Sequence, residues 1–386
     1  MKSINRLAMC MLTIFAACGV AGGATPIDQD QQLINKGLNY LQHQQQSDGG
    51  WQLQANDPPG ITALVLRAFM LDGNYQAKTP FVKKGFDKLL SFQLETGGIY
   101  KDMLANYNTA IAVSALAAAN DPAYKQPLDR AVAFLKGLQW TEHLTGPKGE
   151  TVTDKNNPWY GGWGYGHHAR PDLSNAQFSL QALHDAGLKP TDPAYAAALI
   201  FLSRTQNNSE TNDQSWAGND GGFVYTPADG GNSEAGEMKT ADGKRFLRSY
   251  GSMTYAGLKS MIYAGLTKDD PRVKAAMEWI RKHWTLDENP AMRESGPEKA
   301  ESGLYYYYYV FAHALHAYGE PTIVDAAGVS HDWRLELIQK LGEQQKPDGS
   351  WQGQTRWMET NSVLASAYAV MALEEARDDL KSHPAK

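Results

Sequence analysis

The chain has 386 residues, room for one large domain or two ordinary ones, and its 42% hydrophobic and 20% charged residues give ample core material. A formal net charge of -6 offers no electrostatic argument for nucleic acid or an anionic membrane surface as a partner. The two cysteines, Cys10 and Cys18, both fall near the start, which leaves the body without disulfides, thiolate zinc ligands or a catalytic cysteine.

Residues 1–24 read as a targeting segment. Lys2 and Arg6 precede a mostly apolar run from Leu7 to Val20, and Gly22-Gly23-Ala24 supplies small residues for cleavage. The run is too short and too weakly flanked to span a membrane. A variant reading makes Phe15-Ala16-Ala17-Cys18 a lipoprotein box with Cys18 as the lipidated N-terminus, the one route by which membrane contact is expected. Either reading predicts an exported protein, periplasmic or secreted, with residues 25–386 as its body.

From residue 25 amphipathic helices alternate with Gly-rich turns. The first repeat carries Lys36, Gly37, Tyr40, Leu41 and Gln45, followed by Asp48-Gly49-Gly50-Trp51. The last repeats the turn as Gln345-Lys346-Pro347-Asp348-Gly349-Ser350-Trp351. Looser copies run from Gln93 to Gly97-Gly98-Ile99-Tyr100, from Gln139 to Gly161-Gly162-Trp163, and from Gln206 to Gly221-Gly222-Phe223. The fifth copy is degenerate, with Trp284 in the Gln position and Asp287-Glu288-Asn289-Pro290 in place of the turn. A phrase recurring at intervals of tens of residues means an array of like units.

After each turn comes a helix of another kind, apolar and small almost all round, as in Ile61–Leu66, Thr109–Leu116, Asn175–Leu180, Thr254–Leu258, Tyr309–Ala314 and Ser362–Ala367. A helix without a polar face is buried on all sides. Six amphipathic and six buried helices predict an all-α protein, an (α/α)6 toroid with inner and outer rings. Strand signals are nearly absent. Insertions at 142–160, 207–220 and 226–246 emerge at one rim and are expected to border a binding site.

The Lys-Gly, aromatic-Leu, Gln and Gly-Trp pattern resembles the QW motif of the squalene-hopene cyclase and oxidosqualene cyclase superfamily, whose toroid is shared with prenyltransferase β subunits. The resemblance implies that Gln45, Trp51, Gln345 and Trp351 are structural. It also implies an Asp-rich DxDD box that protonates an alkene at the start of an inner helix. The counterpart here is Asp172-Leu173-Ser174-Asn175, which keeps the first Asp and has Ser in the donor position. Serine cannot protonate an olefin, so acid-started cyclisation is not expected. The zinc of the protein prenyltransferases and the thioester of complement-like domains each need a cysteine that the body lacks.

Inner helices that begin at the turns point their N-termini into the mouth of the barrel. This places Asn106, Asn108, Asp172, Ser174, Asn175, Tyr250, Ser252, Tyr305 to Tyr309, Glu359 and Asn361 there. Asp172 and Ser174 are also ordinary N-cap residues. The turn Trp159–Asp172 concentrates Trp163, Tyr165, His167, His168 and Arg170. His167 or His168 as general base, oriented by Asp172, is chemically sensible. Tyr255 and the tyrosine run add aromatic lining, of which one or two of the five consecutive rings reach the cavity. Neighbouring histidines point apart, so no metal and no cofactor is expected. Three functions are open: a cyclase-like toroid holding or transforming an isoprenoid or other apolar small molecule or lipid, a carbohydrate-active lyase or hydrolase, and a non-catalytic interaction scaffold. A deep aromatic pocket favours the first, a shallow polar groove the second, and a filled barrel the third.

Overall fold

In the computed structural model, which describes residues 25–51, 58–142, 144 and 154–384, helices alternate between two concentric rings. The outer ring is α1 (Pro26–His43), α3 (Pro80–Leu90), α5 (Lys125–Gly137), α7 (Pro193–Thr205), α9 (Pro271–Lys282) and α11 (Trp333–Gln344). The inner ring is α2 (Gly60–Leu71), α4 (Ala105–Ala119), α6 (Leu173–Asp185), α8 (Gly251–Tyr263), α10 (Leu304–Tyr318) and α12 (Ser362–Ser382). Each inner helix packs on the next, and α12 packs back on α2, so the ring closes. The expected (α/α)6 toroid is present. The targeting segment, both cysteines and residues 143 and 145–153 of the first insertion lie outside the described residues.

The two rings differ as their sequences do. Outer α3 buries Val82, Gly85, Phe86 and Leu89, one stripe at helical spacing, and Pro80 opens it where a missing N–H costs nothing. Inner α4 buries every residue from Asn108 to Leu116, because it has neighbours on all sides. In keeping with the near-absence of strand signals, the described residues form two small antiparallel hairpins: β1 (Glu237–Lys239) with β2 (Arg245–Leu247), and β3 (Thr322–Val324) with β4 (Ser330–Asp332). Three-residue strands leave little periodicity to read.

The repeated phrase ties each outer helix to the next. Gln45 Nε2 donates to Gly49 O and to Phe81 O at the start of α3, at 2.9 and 2.8 Å. Gln93 reaches Pro127 O in α5, Gln139 Ala194 O in α7, Gln206 Arg272 O in α9, and Gln345 Leu33 O in α1. At the degenerate junction Trp284 Nε1 donates instead to Glu336 Oε2 in α11, at 3.0 Å. The aromatic residue locks the turn to its own pair. Trp51 Nε1 donates to Leu41 O behind it, and Trp51 N to Thr62 Oγ1 on α2 ahead. Gly161 sits at φ +86° with the Ala197 carbonyl 1.9 Å from where a Cβ would stand, so both backbone angle and space demand glycine. Gly49, Gly97, Gly221 and Gly349 repeat this against the outer helix that follows each.

Candidate binding site at the mouth of the toroid

All six inner helices start at one end, and the first turns of four of them are closed by the turn of the next repeat. Asn106 N donates to Tyr165 O, Leu173 N to Tyr225 O, and Gly251 N to Pro290 O. At α10, whose N-cap is Gly303, the carboxylate of Glu359 does the same work, accepting from Tyr306 N at 2.8 Å. Asn289, from the degenerate turn, caps α8 by accepting from Ser252 N at 2.9 Å and donating to Ser252 Oγ at 3.1 Å.

Asp172 is the N-cap of α6. Its Oδ1 accepts from Asn175 N at 2.8 Å and its Oδ2 from Asn175 Nδ2 at 2.9 Å. Asn175 Oδ1 in turn accepts from Asn106 Nδ2 on α4, and Ser179 Oγ donates to Asn106 Oδ1 at 3.0 Å. Burial raises the Asp172 carboxyl to about 6, against the hydrogen bonds from Asn175 and the Tyr225 hydroxyl, which favour its ionised form. Tyr225 and Tyr165 pair hydroxyl to hydroxyl at 3.4 Å, linking the buried acid to the rim. Glu359 is likewise buried and is raised to about 7, in spite of the N–H groups of α10 that face it.

Aromatic rings line the mouth. Tyr107 on α4 and Tyr306 on α10 are half-buried, as are Ser174 and Tyr225, while Tyr165 is exposed. Tyr107 packs edge-on to Phe178, 5.0 Å between centroids, and its hydroxyl meets that of Tyr368 across the ring at 3.1 Å. Phe178 touches Tyr306 and Tyr309, at 6.0 and 6.1 Å, and Tyr309 touches Tyr368 at 5.3 Å. Below this layer the axis is closed by charge. Arg67 on α2 donates to the Tyr309 hydroxyl at 2.8 Å and pairs with Asp185 on α6 at 3.2 Å. Lys259 on α8 donates to Gln177 and Gln181 on α6 at 2.6 and 2.9 Å, and burial lowers its pKa to about 7. His313 and Glu375 complete the floor at 3.1 Å. These partners lie on non-adjacent as well as adjacent inner helices, so side chains fill the axis beneath the mouth.

Of the residues expected at the site, Asn106, Asp172, Asn175, Tyr165, Tyr250 and Glu359 meet at the mouth. Several others go elsewhere. His167 and His168 are exposed and pack their rings on Phe134 and Trp140, and no hydrogen bond or ion pair joins either to Asp172 among the described residues. The expected His-Asp arrangement is therefore not assembled: the Gly-rich turn carries the histidines outward while Asp172 turns inward to cap α6. Arg170 is exposed on the rim. Trp163 is the staple of its repeat, donating to Leu135 O at 2.9 Å. Tyr255 packs with Tyr307 and Phe311 in the seam between α8 and α10. Tyr305 packs against Tyr308 and beneath Gly353, and it is Tyr306 and Tyr309 that face the axis. Arg67 and Lys259 were not singled out from the sequence. The signal was there: each is a lone charge in an apolar inner-helix run, and such a charge must find partners.

No family model matches the chain, and no curated protein does. Solved structures do. The apo type II terpene cyclase MstE from Scytonema superposes with a TM-score of 0.54 at 15% identity, over 91% of this chain and 99% of that one. A variant of the same cyclase in complex with its substrate geranylgeranyl dihydroxybenzoate gives 0.52 at 15%, over 92% and 99%. A protein from Actinoplanes gives 0.51 at 16%, over 90% and 99%. At such identities the likeness concerns the fold alone: the chain shares its α/α toroid with these terpene cyclase structures.

Proposed function

We propose that this is an exported toroid that receives one end of an isoprenoid or other apolar ligand in its tyrosine-lined mouth and does not cyclise it by protonation. One observation carries the non-cyclising half: the Arg67–Tyr309, Arg67–Asp185 and Lys259–Gln177 contacts occupy the axis beneath the mouth, which on that ground alone favours a scaffold, while the tyrosine-lined mouth above them supports an apolar ligand. A cavity for a whole polycyclic product needs several hundred Å³ of largely apolar space. Here the half-buried rings of Tyr107, Tyr225 and Tyr306, with Ile61 and Val363 on the first turns of α2 and α12, offer a lined entrance over a charged floor. The donor position of the acid box holds Ser174, half-buried at the mouth. The Scytonema neighbours bind geranylgeranyl dihydroxybenzoate and merosterolic acid A, which supports an apolar ligand for the shared fold.

The test is lipid extraction and native mass spectrometry of the protein purified from its own host, with geranylgeraniol titrated in vitro against tyrosine and tryptophan fluorescence. The expected result is a bound apolar molecule recovered unchanged, with affinity lost in Tyr306→Ala. Absence of any co-purifying lipid together with absence of binding sinks the reading. A cyclised product overturns its non-cyclising half.

A further inference from the structure

Beside the mouth lies a second concavity of a different chemistry. It has a volume of about 610 Å³ and is lined by Glu298, Lys299, Ser302, Gln354, Arg356 and Thr360 among others. Carboxylate, ammonium, guanidinium, amide and hydroxyl groups present donors and acceptors together, set among aliphatic stems and backbone carbon that make up most of the wall. Its far side is the segment 353–360, whose backbone is held in an uncommon conformation: Trp357 and Met358 both take positive φ, 56° and 65°. Two consecutive non-glycine residues there are strained and persist only where their surroundings hold them. The surroundings hold the segment in place. Gly353 N donates to Glu359 O, the Glu359 carboxylate is anchored on the first turn of α10, and the Trp357 ring lies against Gly303, where a Cβ would stand 2.5 Å from it. The buried Glu359 Oε2, which makes no hydrogen bond among the described residues, lies directly behind Gly353 of the groove wall.

The groove and the mouth share walls. Ser302 in the groove lies just before α10, and Tyr306 in the mouth lies in its first turn. Arg356 lines the groove and forms an ion pair with Glu234, whose charge also acts on Tyr250 at the mouth. An apolar entrance bordered by a polar, two-signed groove fits a molecule with both characters. Resting on the apolar-ligand reading above, we propose that the ligand is an amphiphile: an apolar chain whose end enters the tyrosine mouth, and a polyhydroxylated, sugar-type headgroup that occupies the groove of Lys299, Gln354 and Arg356. A polyol suits that lining because each hydroxyl both donates and accepts.

The experiment compares a panel of decyl glycosides (glucoside, galactoside, maltoside, glucuronide), each below its micellar concentration, with 1-decanol and with the free sugars, by calorimetry on the mature protein. At least one glycoside is expected to bind ten-fold or more tightly than both 1-decanol and its own free sugar. In Lys299→Ala/Gln354→Ala that advantage falls below about three-fold while 1-decanol binding is unchanged. If 1-decanol binds as well as every glycoside, or the groove variant keeps the full advantage, the headgroup assignment is overturned and the apolar reading stands. If a free sugar binds as tightly as its decyl glycoside, the amphiphile is overturned in favour of a separate saccharide site. If neither 1-decanol nor any glycoside binds, both readings fall.

Discussion

Arg67 on α2 and Tyr309 on α10 meet across the barrel axis, Nη1 to hydroxyl at 2.8 Å, although α12 lies between their helices in the inner ring. A guanidinium that spans the ring and also pairs with Asp185 on α6 holds three inner helices at fixed separation. Both ends are desolvated, so the pair is costly to break on one side only.

Replacing Arg67 with Met leaves the half-buried Asp185 without its cation and is expected to cost about 3 kcal/mol. Adding Asp185→Asn to that variant should restore part of the loss, because the uncompensated charge is gone. Urea midpoints of the two single variants and the double variant measure this. Additive losses in the cycle would mean that the two residues do not act as a pair.

Glycine substitutions separate the staple from ordinary helix positions. Gly161→Ala drives a Cβ into the Ala197 carbonyl at a positive φ and is expected to destabilise by about 3 kcal/mol or more. Gly137→Ala, at an exposed helical position with nothing within 4 Å, should be neutral or stabilising by up to about 1 kcal/mol. Thermal melts of the two proteins decide it, and equal melting temperatures would dismiss the staple.

Stability should depend on pH in a signed way. Asp172 and Glu359 are raised, to about 6 and about 7, so the folded chain binds more protons than the unfolded one above pH 4. Their contribution is complete below about pH 4 and is lost as pH rises through 6 and 7. Lys259 is lowered to about 7, so its contribution grows as pH rises from 7 towards 10. Asp172→Asn retains an N-cap side chain and removes the ionisation. Its stability relative to wild type should therefore climb between pH 4 and 6, by on the order of 2 kcal/mol, and level off above. A flat difference across that window would show that Asp172 titrates as an ordinary exposed carboxyl.

Rebuilding the acid box should not create a cyclase. Ser174→Asp/Asn175→Asp restores the spelling of the motif, but it places two further carboxyls beside buried Asp172 and removes the Asn175 Nδ2 donor to its Oδ2. The expected outcome is a lower melting temperature and no cyclised product from squalene or geranylgeraniol by gas chromatography. Turnover in that variant would show that the axis opens far enough to hold the chain.

The architecture was legible because it is written in local terms. The Gln-to-aromatic phrase recurs, the glycines that need positive φ stand inside it, and one set of helices is striped where the other is apolar all round. Even the degenerate fifth junction showed as Trp284 in place of Gln. The site was legible only in part. Asp172, Asn106, Asn175, Tyr250 and Glu359 could be placed at the mouth, because a helix start is a sequence feature and the ring brings helix starts together. What each side chain then faces depends on the rotation of its helix and on partners tens to hundreds of residues away, which sequence spacing does not encode. So the histidines of the rim turn face outward, Tyr306 takes the position expected of Tyr305, and Glu359 reaches back 53 residues to cap α10. The sequence by itself determined the toroid and put Ser174 where the resemblance expects a proton donor. Only the tertiary structure decided that the barrel is filled, because it is the packing of six helices around one axis that turns the lone charges Arg67 and Lys259 into its floor.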